Sequence, residues 1–359
     1  MNRITNTILW AVLLVLLCAS LGLFMTSDFK PAGILLSVFW LLLAFLMYSS
    51  KKLKGFTYTI MILVAVTVSM TFPEIFTKWG SFELKNLIVP LLQIITFGVG
   101  STMRISDFRD VVKMPRSVLI GVACQYTIMP LVGFVIAKSF GFPPEIAAGV
   151  ILVGCSPSGL ASNVMAYISK ANLALSVTIT SIATLLAPLF TPLYMKLLAG
   201  TLVPVSFTAM FWDVTKILII PIIVGMLFQY LIRNKVKSLD SIMSKVSMVG
   251  IAFIIVVITA AGRDHLMVVG IVLIIAMFLH MTIGFFLGYS VARMFRMPER
   301  DCRAIALEVG MQNGGLASGI AASMGKIATL GLAAAVNGPL MNTVFSVISS
   351  FWAKKTPKD

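Results

Sequence analysis

Charge is what this sequence has least of. Only 11% of its 359 residues are charged, against roughly 25% in a soluble globular domain, so a water-facing shell cannot be assembled from them. Acids are scarcer still, 13 Asp+Glu against 28 Lys+Arg, and there are two histidines. The four cysteines, Cys18, Cys124, Cys155 and Cys302, show no C-x-x-C spacing, and three lie inside apolar runs, which argues against a disulfide framework or a thiolate metal site. An H-E-x-x-H, a Walker-type glycine loop and a dinucleotide fingerprint are all missing. ATP hydrolysis therefore has no visible machinery, and no organic cofactor is expected. No basic run is interleaved with aromatics, so the net charge of +15 does not point to nucleic acid.

What is present is apolar length. Hydrophobic residues make up 59% of the chain and the mean hydropathy is +1.01, the composition of a polytopic bundle in a lipid bilayer. Segments long enough to span fall near residues 7–25, 31–49, 57–73, 86–103, 117–137 and 146–168, then 172–195, 212–232, 246–261, 266–292, 304–323 and 327–352. That predicts an all-α fold of about twelve spans. The first segment opens like a secretory signal, with Arg3 before an apolar run and Cys18-Ala19-Ser20 resembling a cleavage site. It continues apolar to Met25, longer than such a signal needs, and is read as a span.

A cytoplasmic N-terminus, with sides alternating thereafter, places 20 of the 28 basic residues in cytoplasmic loops, among them Lys51/Lys52, Arg104/Arg109/Lys113, Arg233/Lys235/Lys237 and Lys354/Lys355/Lys358. This is the asymmetry of the positive-inside rule. It predicts a multi-pass membrane protein with both termini cytoplasmic.

The sequence also repeats itself. Gly159-Leu160-Ala161-Ser162 recurs 156 residues later as Gly315-Leu316-Ala317-Ser318, and Gly154 pairs with Gly310 at the same offset. Upstream, Gln125-Tyr126-Thr127-Ile128 matches His280-Met281-Thr282-Ile283, and Phe142-Pro143 matches Met297-Pro298. Ordered matches of this kind indicate an internal duplication. Five spans lie between the copies, an odd number, so the repeats are expected to be inverted. Both copies carry glycine, proline or amides in mid-span, at 154–159 and 310–315. A helix interrupted there survives in lipid only if its freed backbone lines a protected polar cavity. Helix packing through G-x-x-x-G spacing accounts for the glycines but not for Gln312, Asn313, Ser162 and Asn163 beside them.

Twelve of the thirteen acids lie in loops or near span ends; Glu308, five residues past Arg303, is the one set inside a span. A lone carboxylate in a bilayer needs a proton, a cation or a basic partner, unless it reaches the interface. Small alkali cations take oxygen ligands. Glu308, Gln312 and the Val309 and Met311 carbonyls supply them, as do Ser162, Asn163, Ser176 and Thr180, the last two four residues apart on one helix face. A proton-coupled carrier would instead titrate Glu308, with Gln312 holding the protonated form. An intramembrane serine hydrolase would use Ser158 and His280, although the expected Gly-x-Ser-Gly is absent. A channel is a third alternative, less suited to broken helices with inverted symmetry.

Gly159-Leu160-Ala161-Ser162-Asn163-Val164-Met165 and Glu308-Val309-Gly310-Met311-Gln312-Asn313 resemble motifs of the bile acid:sodium symporter family in its bacterial members. The resemblance runs from about residue 57 to the C-terminus. It implies ten helices in two inverted five-helix repeats, about 55–200 and 207–353, with interleaved panel and core subdomains and two broken helices that cross. The hairpin of residues 1–50 then precedes the symporter unit of 51–359. The resemblance implies one sodium site of Ser162, Asn163, Ser176, Thr180 and Glu308, and a second of Gln125, Glu308, Gln312 and the Val309 and Met311 backbone. Leu160 stands where many bacterial members carry a threonine near the substrate, and Asn313 and Asn342 are the polar candidates facing it. Two sodium ions against one carboxylate, with helix N-termini nearby, favour a small organic anion as the co-substrate. The expectation is sodium-coupled symport by alternating access, and not an enzyme.

Overall fold

The structure, a computed structural model, describes residues 3–26, 28–50, 54–103, 114–232 and 239–357. Lys51, Lys52, Arg104, Arg109, Lys113, Arg233, Lys235, Lys237 and Lys358, on which much of the basic-residue asymmetry rests, lie outside them.

The helices are α1 (Arg3–Met25), α2 (Phe29–Ser49), α3 (Thr57–Thr71), α4 (Pro73–Thr77), α5 (Ile88–Thr102), α6 (Pro115–Ser139), α7 (Pro144–Cys155), α8 (Ala161–Ile168) and α9 (Leu173–Tyr194). They continue with α10 (Phe207–Val214), α11 (Ile220–Ile232), α12 (Leu239–Ala261), α13 (Arg263–Met294), α14 (Glu299–Gly310), α15 (Gly314–Ser323) and α16 (Leu332–Ala353). Single π turns at Met195–Ala199 and Thr215–Ile219 extend α9 and join α10 to α11. The all-α expectation holds apart from a small hairpin, Lys78–Trp79 against Phe82–Glu83, closed at Gly80 with φ +59°.

Among the described residues eight helical stretches are long and apolar enough to cross a membrane. Leu9–Met25, α3 and α7 are apolar but shorter. Each of the twelve apolar segments of the sequence carries helix. Segments 146–168 and 304–323 are each divided in two, which is why neither counts as a long helix. Pro144 opens α7 and Pro115 opens α6, where a missing N–H costs nothing.

The chain forms two compact units. One comprises residues 1–85 with 252–263, and the other 86–251 with 264–359. In the first, α1 runs unbroken past Cys18-Ala19-Ser20, and the buried Ser20 hydroxyl donates to Ala32 O at 2.8 Å, fastening α1 to α2. Arg263 Nε donates to Met70 O at 2.7 Å.

The second unit is built around α7 and α14. All residues of α7 from Ile146 to Cys155 and all of α14 from Asp301 to Gly310 are buried. For α7 that follows from composition. For α14, which carries Asp301, Arg303 and Glu308, burial requires polar partners. Both half-helices are entered the same way, through a positive-φ residue two places before the proline: Gly141 at +64° before Pro143 and Arg296 at +55° before Pro298.

Candidate functional site

The two interruptions meet. Residues 156–160 separate α7 from α8, residues 311–313 separate α14 from α15, and the breaks pair antiparallel as a two-residue bridge between Ser158 and Gln312. Gly159 N–H donates to Met311 O at 3.0 Å and Asn313 N–H to Pro157 O at 2.8 Å. A Cβ on Gly159 would come within 3.2 Å of Gln312 O, so the crossing is tight. Backbone freed by the breaks is otherwise capped by side chains. Thr191 donates to Cys155 O at 2.8 Å, Gln125 Nε2 to Ser156 O at 3.0 Å and Gln312 Nε2 to Val309 O at 2.7 Å. In an apolar surround each such carbonyl left alone would be costly, which explains why polar side chains gather here.

Glu308, two residues before the end of α14, is fully buried. Arg303 does not pair with it; that side chain turns to Glu299 Oε1 at 2.9 Å and stacks over Trp352. Glu308 accepts instead from three hydroxyls: Ser162 Oγ at 2.5 Å, Ser176 Oγ at 2.6 Å and Thr180 Oγ1 at 2.7 Å. Asn163 Oδ1 joins through Ser176 at 2.8 Å and Thr180 at 3.4 Å. Thus α8, α9 and α14 bring Ser162, Asn163, Ser176, Thr180 and Glu308 into one cluster. Ser158, proposed above only as a nucleophile, is buried and its hydroxyl has no hydrogen-bond partner among the described residues.

The hydroxyls that reach Glu308 have more acceptors around them than protons to give. Three hydroxyls, with one proton each, face five acceptors: both Glu308 oxygens, Asn163 Oδ1, Gly159 O and Ser176 O. Among the described residues no cationic side chain pairs with the carboxylate. An oxygen-rich cage around a carboxyl that has no basic partner among the described residues is suited to a small hard cation.

Gln125 and Gln312, both buried, form a second group beside it. Gln125 Nε2 donates to Gln312 Oε1 at 2.8 Å and Gln312 Nε2 reaches Gln125 Oε1 at 3.4 Å. The Val309 and Met311 carbonyls are engaged by Gln312 and Gly159 respectively.

The substrate candidates sit differently. Leu160, at the start of α8, is 44% exposed. Asn313 caps α15, its Oδ1 accepting from Leu316 N–H at 3.0 Å. Asn342 is half-buried on α16. Sequence reasoning missed Asn337, one helical turn before Met341: it is 1% exposed and its Oδ1 has no partner among the described residues. Nothing in its local sequence distinguishes it from a packing amide. His280 Nε2 lies 3.2 Å from Met129 O on α6, and among the described residues His280 has no hydrogen bond to a serine.

A family model for the sodium bile acid symporter family matches residues 89–269. The chain belongs to that family. It is 38% identical over 305 residues to the sodium-dependent transporter YocS of Bacillus subtilis, covering 85% of this chain and 93% of the relative. It is 31% identical to the human ileal sodium/bile acid cotransporter, over 67% of this chain and 70% of that one. A chloroplast protein of Arabidopsis thaliana named as a probable sodium/metabolite cotransporter, BASS1, is 30% identical over 76% of this chain and 68% of its own length. This sodium bile acid symporter family member is therefore a multi-pass membrane transporter and not an enzyme, and sodium is the ion its relatives are named for. The hydrolase reading of Ser158 and His280 falls with that membership.

Proposed function

We propose that the protein is a symporter that couples downhill sodium movement to uptake of a small organic anion by alternating access. The observation that carries this reading is the buried Glu308 carboxylate, ringed by Ser162, Ser176 and Thr180 hydroxyls at 2.5–2.7 Å with more acceptor oxygens than protons. In this reading the hydroxyls turn their protons onto Gly159 O, Ser176 O and Asn163 Oδ1, and their lone pairs, with Glu308, hold the first sodium ion. A second ion would take Gln125, Glu308, Gln312 and the Val309 and Met311 carbonyls, after the amide pair between the glutamines opens.

Both α8 and α15 start at the crossing, so their N-terminal partial positive charges converge there. With two bound cations against one carboxylate, the balancing ligand is an anion. Leu160, Asn313 and Asn342 are its proposed neighbours, and a bile-acid-like or small metabolite carboxylate fits the charge. The matched entries into α7 and α14, and the antiparallel pairing of the breaks, support two inverted repeats at about 55–200 and 207–353, within some twelve spans. Helices of the two repeats would interleave as a mobile core against a panel. The N-terminal hairpin of residues 1–50 adds an even number of crossings, leaving both termini cytoplasmic in a bacterial inner membrane.

The test is uptake into proteoliposomes with sodium or choline outside at a fixed proton gradient, for a panel of organic acids. Substrate-dependent sodium uptake is expected in the wild type and its loss in Glu308→Ala. Uptake that persists in choline would make Glu308 a proton carrier, and wild-type coupling in Glu308→Ala would remove it from the ion site.

A further inference from the structure

The cation cluster draws its ligands from three helices, and one turn of α14 holds the base of all three. Asp301, in the first turn of α14, accepts from Asn172 Nδ2 at 2.7 Å through Oδ1 and from Ser117 Oγ at 3.0 Å through Oδ2. Asn172 is the N-cap of α9, where its own Oδ1 accepts from Leu175 N–H at 3.1 Å, and its backbone N–H donates to Arg300 O at 3.1 Å. Two residues on, Arg303 Nη1 donates to Ser169 O at 3.0 Å, at the C-terminal end of α8. The turn between α8 and α9 is thereby seated on the first turn of α14.

From that seat α9 and α14 run in the same sense into the cluster. Ser176 and Thr180 stand one and two turns past Asn172, and Glu308 stands two turns past Asp301, about 10 Å along the helix. A contact of 2.6 Å between Ser176 and Glu308 depends on the relative height of the two helices to a fraction of an ångström. Asn172 and Asp301 tie the two helices together at their common base.

The opposite end of the unit offers an internal comparison. Glu145, in the first turn of α7 and 156 residues before Asp301, holds Lys326 and Thr329 in the turn between α15 and α16. There the carboxylate holds the turn ahead of α16, whose N-cap is Gly331 and no member of the link, and the residue 156 places before Glu308 is Leu152. Among the described residues, Glu145, Lys326 and Thr329 make no hydrogen bond to the Glu308 cluster.

We propose that the Asp301–Asn172 link is a positioning device for the cation site, setting sodium affinity by holding α9 in register with α14. The inference rests on the sodium reading of the Glu308 cluster. Outer partners that orient cation ligands are worth roughly ten-fold or more in affinity when removed.

The experiment is a titration of purified full-length protein in detergent with sodium chloride, choline chloride keeping ionic strength constant, read as the rise in thermal midpoint. Asp301→Ala is expected to need about ten-fold more sodium for half the rise. Asn172→Ser retains an N-cap for α9 but is too short to reach Asp301, and should shift the titration equally. Asp301→Asn keeps an acceptor for Asn172 and should titrate near the wild type, as should Glu145→Ala. Wild-type titration by both Asp301→Ala and Asn172→Ser, or an equal shift in Glu145→Ala, overturns the positioning role. Glu308→Ala separates the two levels: if it still responds to sodium as the wild type does, the ion-site reading itself fails, whatever Asp301 does.

Discussion

Ser176 and Glu308 are 132 residues apart in sequence, and in the fold the hydroxyl of the first donates to the carboxylate of the second at 2.6 Å. The same hydroxyl stands 2.8 Å from Asn163 Oδ1. Its single proton cannot serve both, and bound sodium would resolve the conflict by accepting a lone pair from Ser176 while the proton turns to Asn163.

Ser176→Ala and Thr180→Ala should each raise the sodium concentration for half-maximal transport by roughly ten-fold, since each removes an oxygen from the cage. Initial rates in proteoliposomes across a sodium series measure this. The maximal rate at saturating sodium is expected to change less than the half-saturation. An unchanged sodium dependence in both variants would place the ion elsewhere.

Gln312→Ala should lower thermal stability even without sodium. It strips Val309 O and the Gln125 amide of buried partners, and each unsatisfied group costs about 1–3 kcal/mol. The midpoint in choline buffer is the measurement, and a midpoint equal to the wild type would mean that the two amides contribute only through the ion.

Gly154→Ala should loosen α7 from α6. An added Cβ would lie 2.4 Å from Met129 O, a backbone atom with no freedom to swing aside. Overpacking of this kind costs about 1–3 kcal/mol. A lower midpoint with weakened transport is expected, and full stability in the variant would show that the helices separate freely there.

Arg303→Lys should behave almost as poorly as Arg303→Ala. The guanidinium pairs with Glu299, donates to the Ser169, Trp352 and Lys355 carbonyls and lies over the Trp352 ring. An ammonium has neither the fork nor the plane for this set. Loss of one partner of a buried pair costs roughly 3–5 kcal/mol, so expression and thermal midpoint should fall in both variants. Rescue by lysine would show that charge alone suffices.

Much of the site was legible before any coordinates because the bilayer makes polar atoms conspicuous. Glu308 stood out as the one acid within a span, and the breaks were marked by Gly154, Pro157 and Gly159 in one copy and Gly310, Gly314 and Gly315 in the other. Ser162, Asn163, Ser176 and Thr180, which the family resemblance groups with Glu308, lie around it in the fold. Less visible was the role of Arg303, which the sequence offers as a neighbour for Glu308 and the fold gives to Glu299 and Trp352. Asp301 and Asn172 read as ordinary loop-edge residues, and Thr191 as one more hydroxyl in an apolar helix. Their significance lies in partners 36 to 129 residues away.

The sequence by itself determined the solvent, the helical class and where helices must fail, because apolar length, proline, glycine and a solitary carboxylate act locally on the backbone and on its transfer into lipid. Only the tertiary structure decided which hydroxyls close around Glu308 and that the two breaks share hydrogen bonds. Those contacts depend on the relative height and rotation of α8, α9 and α14, and that register is fixed by packing and by the links at their bases, not by the periodicity of any one helix.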